Sequence, residues 1–129
     1  MIELQALPQG IGQERLQELL SELAHIASDS LKAPLKAVFV VFRPIEAGCY
    51  MHEDSAIPLQ TKDSHPPLLR ISAFVGRTGE QIAECLRRCA ESIELSLGLE
   101  SGNVFASYVE LQSGHVLTGG ILRRQNPTV

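Results

Sequence analysis

The stretch PLLRISAFVGRTGEQIAECLRRCAESIELSLGLESGNVFASYVELQSGHVLTGG, residues 67–120, decides the fold of this chain. Its first part, residues 67–75, predicts a strand, because apolar residues occupy both sides of the alternation. Thr78 and Gln81 have the spacing of a capping box, so a helix should begin there and end at Gly98. Residues 104–111 are rich in β-branched and aromatic side chains and predict a second strand. A strand, a crossover helix and a strand form a β-α-β unit with parallel strands.

The first part of the chain repeats this pattern. Met1–Leu7 predicts a strand, residues 13–31 a helix and residues 37–42 a second strand. A shift of 66 residues superposes the two halves without a gap and brings Gly10 onto Gly76, which favours a duplication. We therefore divide the single domain, residues 1–129, into four segments. They are repeat one (1–50), a linker (51–66), repeat two (67–120) and a C-terminal tail (121–129) with an irregular end.

Two such units predict an α+β fold, in which tandem β-α-β repeats form a four-stranded mixed sheet with two helices on one face. The predicted strands at 37–42 and 68–75 are apolar on both sides, so the second face of the sheet also needs a cover. Because the chain has no further element to supply that cover, we predict a homo-oligomer.

Composition and charge exclude several classes of protein. The net charge is −4 and there is no basic run, which argues against a nucleic-acid partner. No apolar run approaches the roughly 18 residues that a membrane span needs. The start, MIELQALPQG, lacks the pattern of a signal peptide, and the three cysteines form no CxxC pair. We therefore predict a cytoplasmic protein with reduced thiols.

These motifs resemble the tautomerase superfamily, and they are closest to 4-oxalocrotonate tautomerase. The resemblance covers residues 67–120 without gaps and includes Gly-Arg-Thr at 76–78, Gly-His at 114–115 and Gly-Gly at 119–120. The double unit resembles larger members such as malonate semialdehyde decarboxylase and macrophage migration inhibitory factor. The resemblance implies a homotrimer that uses no cofactor and no metal.

The resemblance also implies site residues. Members use the amine of an N-terminal proline for proton transfer and the Gly-Arg arginine to hold a substrate carboxylate. Met1 stands at the proline position of repeat one, whereas Pro67, its counterpart, is locked in a peptide bond. The Gly-Arg arginine is kept as Arg77 and is replaced by Ile11 in repeat one. Tyr50 stands at the position of an aromatic pocket wall.

Each candidate also has a plainer interpretation. The α-amine of Met1 has an ordinary pKa near 8 and suits a base, but Met1 is equally the first residue of an edge strand. Arg77 suits a carboxylate, but Glu80 is a candidate ion-pair partner. Arg43 and Arg70 either line the pocket or pair across subunits.

Cys85 and Cys89 share one helix face, where a core role is favoured over a metal site.

The sequence thus predicts a cofactor-free keto–enol tautomerase or isomerase that acts on a small α-keto or dicarboxylic acid. Met1 would move the proton, and Arg77, with Tyr50, Arg43 and Arg70 around it, would bind the carboxylate. The alternative is a catalytically inactive trimer with the same fold and a binding or structural role. The change of the first residue from proline favours the alternative, and the retention of Arg77 favours the enzyme.

Overall fold

The computed structural model describes residues 1–124 of the chain, and the predicted irregular end of the tail at 125–129 lies outside them. Repeat one contains β1 (Ile2–Ala6), α1 (Gln13–Leu31), a short 3-10 helix (Leu35–Ala37) and β2 (Val40–Pro44). The connecting segment carries a small hairpin of β3 (Met51–His52) and β4 (Ser55–Ala56). Repeat two contains β5 (Leu68–Phe74), α2 (Gly79–Leu97) and β6 (Phe105–Leu111). A last hairpin consists of β7 (Val116–Thr118) and β8 (Ile121–Arg123).

The main sheet has the order β2-β1-β5-β6. The strands are parallel within each repeat, and β1 pairs antiparallel with β5 at the junction between the repeats. The predicted α+β fold with a four-stranded mixed sheet and two helices is therefore confirmed.

The core lies between the sheet and the two helices. It contains alternate residues of the central strands and the inner faces of both helices, including Cys85 and Cys89, which are fully buried. The hydrogen bond with Cys85, together with burial, raises the pKa of the Cys89 thiol, so this group stays protonated. Among residues 1–124, no three side chains of the metal-binding types come together. The burial of Cys85 and Cys89 in the core cluster confirms their core role.

The two helices end differently. The predicted capping box of α2 is present, since the Thr78 hydroxyl and the Gln81 backbone and side chain bond reciprocally at its start. Gly98 closes α2 in the left-handed region, with φ of 66°. In α1 the residue at the start, Gly12, has no side chain to cap the helix, and the left-handed residue at the end is Lys32, with φ of 55°. A lysine pays a steric cost in this conformation that glycine avoids.

The predicted start of β2 is wrong. Residues 35–37 form a 3-10 turn, in which the Ala37 and Val38 amides donate to the carbonyls of Pro34 and Leu35, at 2.9 and 3.0 Å. The strand begins only at Val40, because these turn bonds hold the preceding backbone in a curled conformation.

The gapless shift of 66 residues is wrong for the first strand of each repeat. Ile2 and Leu69 are the matching buried residues, and they lie opposite Val40 and Ala106 in the sheet. Val40 and Ala106 are 66 residues apart, but Ile2 and Leu69 are 67 apart. The reason is that the helix starts seven residues after Ala6 in repeat one and six residues after the matching Ala73 in repeat two.

This correction changes which residue of repeat two corresponds to Met1. Met1 corresponds in the sheet to Leu68 and not to Pro67, so Met1 stands one residue inside the proline position that the sequence predicted for it. The carbonyl of Pro67 accepts the Phe105 amide at 2.9 Å.

Candidate functional site

The candidate site lies at the start of β1. The Met1 α-amine donates to the Ser72 carbonyl at 2.9 Å, and the Ser72 amide donates back to the Met1 carbonyl at 2.8 Å. On the other side, the Ile2 amide donates to the Phe39 carbonyl at 2.7 Å. β5 continues to Phe74 beyond Ser72, whereas β2 begins at Val40, opposite Ile2, so the amine is set back beside one longer neighbour, β5. We call this place the notch and define it by Met1, Phe39, Phe74 and Arg77.

The pKa of the Met1 amine is shifted by its surroundings. Partial burial lowers the pKa of the Met1 amine below its ordinary value, and the nearby carboxylate of Glu3 opposes this change with a smaller effect. A lowered pKa increases the neutral fraction of the amine near neutral pH. The neutral amine is the form that can accept a proton from a substrate.

Arg77 is the arginine of the notch and has a structural role that the sequence did not reveal. Its Nε donates to the Leu31 carbonyl at 3.0 Å, and its Nη1 donates to the Phe74 carbonyl at 3.2 Å. Leu31 is the last residue of α1, so the guanidinium places a positive charge at the negative end of that helix. The ion pair with Glu80 that the sequence offered is not among the ion pairs of residues 1–124.

The amine and the guanidinium share one edge of β5. The Val75 amide points to β6, so Ser72 and Phe74 both present their backbone groups to the β1 side. Carbonyls two residues apart on a strand point the same way and are separated by roughly 7 Å. The Met1 amine binds the first of these carbonyls and Arg77 binds the second, so the two predicted functional groups are neighbours.

The other predicted residues are not brought to the amine within one chain. Arg70 faces Glu3 across the β1–β5 pair, in the middle of the sheet surface that the helices leave open. Arg43 lies opposite Gln5, roughly 14 Å along β1 from Met1. Tyr50 also belongs to that far end, where its hydroxyl donates to the Pro66 carbonyl at 2.8 Å.

The sequence missed the two aromatic walls of the notch. Val38 and Val40 pack against the core, so Phe39 between them faces the opposite side, where 54% of it is exposed. Phe74 ends β5 on the same surface and is half-buried. The alternation of strand residues carried this information, but the displaced start of β2 concealed the fact that Phe39 flanks Met1.

A separate shallow groove follows the outer face of α1 and contains none of the predicted site residues. Its lining is Glu14, Gln17, Glu18, Ser21, Glu22 and His25. Among residues 1–124, no helix is long and apolar enough to cross a bilayer.

The fold is similar to several solved structures. One is Pt0534 inactivated by 2-oxo-3-pentynoate, at 17% identity over 95% of this chain and 94% of that chain, with a TM-score of 0.83. A second is the F6 fused 4-OT wild-type asymmetric trimer, at 21% identity over 94% of both chains, also with a TM-score of 0.83. A third is N1, a member of the cis-3-chloroacrylic acid dehalogenase family, at 20% identity over 98% and 86%, with a TM-score of 0.80.

No family model matches the sequence, and no curated protein matches it. These structures include fused 4-OT proteins, so the fold that the resemblance to 4-oxalocrotonate tautomerase implied is confirmed. Identities of 17–21% show the fold and leave the chemistry to be argued from the site.

Proposed function

We propose that this chain, which has the tautomerase-superfamily fold, is a cofactor-free keto–enol tautomerase of a small α-keto acid in the cytoplasm. The observation that carries the proposal is the neighbouring position of a base and a cation in the notch. The Met1 amine has a lowered pKa, and Arg77 lies at the next carbonyl along β5.

The reaction needs only these two groups. In the ketonisation direction, the neutral Met1 amine accepts the hydroxyl proton of the enol as the C=O bond forms. The resulting ammonium returns a proton to the adjacent carbon, so the amine ends as it began. Arg77 holds the carboxylate and stabilises the negative charge that develops on the enolate oxygen. Two of its N–H groups already bind backbone carbonyls, which fixes the guanidinium in place before the substrate arrives.

We further propose that the chain acts as a homotrimer. The helix-free surface of the sheet exposes Phe39 and Phe105 at 54% and 62%, and Val41 lies opposite Glu3 on the same surface. Three of the fused 4-OT structures that resemble this chain are named as trimers. Both observations support an assembly in which copies of the chain cover this surface for one another.

Two neighbouring residues of β2 test the trimer. Val40 packs against the core, whereas Val41 faces the open surface. Val41→Asp should leave a folded monomer in analytical ultracentrifugation. Val40→Asp should instead unfold the chain, because a buried unpaired charge costs several kcal/mol. A wild-type monomer at micromolar concentration, or a trimeric Val41→Asp variant, would contradict the assembly.

A second candidate is the inactive trimer, which two observations favour. Met1 stands one residue inside the proline position, and Arg77 is occupied with backbone carbonyls. The deciding experiment follows the ketonisation of phenylenolpyruvate spectrophotometrically. The starting protein should have an unmodified Met1 by intact mass, and a second sample should be acetylated selectively at the α-amine near pH 6.5.

The enzyme proposal expects acetylation to lower kcat/KM by about 100-fold, the lower range of general acid–base catalysis. Mild acetylation of the lysines with the α-amine protected serves as the control and should leave the rate unchanged. An unmodified protein that does not accelerate ketonisation would contradict the enzyme proposal and favour the inactive alternative.

A further inference from the structure

One buried hydroxyl group of the sheet has no hydrogen-bond partner. Among residues 1–124, three buried side-chain atoms make no hydrogen bond, namely Gln60 Oε1, Ser92 Oγ and Tyr108 Oη. Buried polar groups normally have a partner, so each exception needs a physical reason. Gln60 Oε1 can only accept a hydrogen bond, and Ser92 lies within α2, where a side-chain rotation offers it the carbonyl one turn back. The rigid phenol of Tyr108 has no such local acceptor.

Tyr108 lies on the same side of the sheet as the guanidinium of Arg77. Its ring packs against the core beneath the helices, and Arg77 bonds the Leu31 carbonyl at the end of α1, on that helix-covered side. Tyr108 is also level with Ile2 in the sheet, because both lie opposite Ile71. Neighbouring strands are about 4.8 Å apart, so the Cα atoms of Tyr108 and Ile2 are separated by roughly 10 Å. The tyrosine thus stands in the row of residues next to the start of β1.

The Tyr108 phenol is a hydrogen-bond donor close to a cation. Burial raises the pKa of this phenol, and the positive charge of Arg77 opposes the change with a smaller effect, so the group stays protonated near neutral pH. The carboxylate of Glu110 adds a still smaller increase and is exposed to water, which screens it. Arg77 uses Nε and Nη1 for two backbone carbonyls, whereas its Nη2 makes no hydrogen bond to residues 1–124. The hydroxyl and Nη2 are therefore two unused donors, which suit the two oxygens of a carboxylate.

We infer that the Tyr108 hydroxyl is a second donor to the carboxylate that Arg77 binds, and that the ligand carboxylate meets both groups on the helix-covered side of the sheet. This inference rests on the proposed function for the role of Arg77 and adds a binding residue that the sequence did not suggest. It also gives a reason for the unpaired hydroxyl. A phenylalanine would keep the ring in the core without the desolvation penalty of a buried unpaired donor.

The two tyrosines of the chain provide a matched pair of variants. The Tyr50 hydroxyl donates to the Pro66 carbonyl at 2.8 Å, at the far end of the sheet. Tyr50→Phe leaves this carbonyl without its donor, so it should lower the urea midpoint of unfolding. Tyr108→Phe removes a hydroxyl that has no partner, so it should raise the midpoint. The same chemical change should thus have opposite effects on stability.

The experiment is calorimetric titration of the wild type and both variants with the unreactive acid 3-phenylpropanoate. Tyr108→Phe should weaken the binding of this acid by about tenfold, the lower range for a hydrogen bond to a charged group. Tyr50→Phe should bind it like the wild type. The uncharged 3-phenylpropan-1-ol should show no difference between Tyr108→Phe and the wild type. In the ketonisation of phenylenolpyruvate, Tyr108→Phe should raise KM and leave kcat unchanged, because the contact exists before and during the reaction.

Four results would overturn the inference. They are no binding of 3-phenylpropanoate to the wild type, wild-type affinity in Tyr108→Phe, equal losses of affinity in the two variants, and a loss of stability in Tyr108→Phe, which would mean that the hydroxyl serves the fold. Since the acid does not tautomerise, the titration is independent of catalysis. Binding that depends on Tyr108 without ketonisation would contradict the proposed enzyme and leave this contact standing. Ketonisation with wild-type affinity in Tyr108→Phe would do the reverse.

Discussion

The two repeats share one fold but treat the starts of their first strands in opposite ways. In repeat two, Pro67 is buried and its carbonyl is bonded to Phe105, while Tyr50 reaches the Pro66 carbonyl just before it. In repeat one, β1 starts with the partly buried α-amine of Met1. The same architecture thus contains one closed and one open strand start. The duplicated unit therefore supplies one candidate site per chain, and the other repeat contributes Arg77 and Phe74 to it.

The arginines of the two repeats show a second difference. Arg77 of repeat two bonds the end of α1, while Arg15 of repeat one donates to the Ser96 hydroxyl near the end of α2, at 2.9 Å. Each helix end is thus held by an arginine from the other repeat. Only Arg77 lies near the free α-amine of Met1. Arg77 is therefore a candidate binding residue because of its position, whereas Arg15 has only a structural role.

The largest expected effect comes from a proline placed at the strand start of repeat one, as Pro67 stands at the strand start of repeat two. A proline inserted before Met1, with the initiator methionine removed, would occupy the place that corresponds to Pro67. We expect kcat/KM for ketonisation to rise by about 100-fold, because this secondary amine would stand at the position that the family resemblance implies for its base.

Replacement of Met1 by proline is the matched control for this insertion. It leaves the amine one residue short of that place and should produce a smaller gain. Intact mass must confirm that proline is the first residue of both variants. If the replacement raises kcat/KM as much as the insertion or more, the exact position of the proline amine, which the 67-residue correspondence of the first strands defines, does not govern catalysis.

The next effect separates the two arginines. Arg77→Ala should weaken the binding of 3-phenylpropanoate by about 1.5–3 kcal/mol, the range for a hydrogen bond to a charged group. It should also lower the free energy of unfolding by about 1 kcal/mol, because the end of α1 loses its cation. Arg15→Ala should lower stability without changing affinity. Calorimetry and urea unfolding at one protein concentration measure both quantities, and equal affinities in the two variants would remove Arg77 from the site.

The fold was predictable from the sequence because its signals are local. The capping residues Thr78 and Gln81, the left-handed Gly98 and the apolar stripes of both helices lie within a few residues of the features they specify. The role of Arg77 was not predictable, since its partner Leu31 is 46 residues away and is a backbone carbonyl, which leaves no mark in the residue types. The one-residue offset of β1 was also hidden, because Gly10 and Gly76 match at a shift of 66 residues that the first strands of the two repeats do not follow.

A smaller effect concerns the two helix ends. Lys32 and Gly98 occupy equivalent left-handed positions, and no atom lies within 4 Å of a Cβ placed on Gly98. The cost of a side chain there is therefore one of backbone conformation. Lys32→Gly should raise the free energy of unfolding by about 1 kcal/mol, and Gly98→Lys should lower it by a similar amount. Urea unfolding at fixed protein concentration measures the stability of both variants. A loss of stability in Lys32→Gly would show that the Lys32 side chain makes a compensating contact.

The smallest expected effect concerns the influence of Glu3 on the pKa of the Met1 amine. Glu3 stands two residues from Met1 on the same side of β1 and opposes the lowering of the amine pKa by burial. Glu3→Gln should therefore lower this pKa further and keep the amine neutral at more acidic pH. Since the neutral form is the base, the acidic limb of the kcat/KM profile should move to lower pH, with a somewhat lower plateau because a weaker base transfers protons less readily. Glu110→Gln removes the same charge from β6, two strands away from β1, and should leave the limb in place. A limb that stays fixed or moves to higher pH in Glu3→Gln would mean that the titrating group is not the Met1 amine.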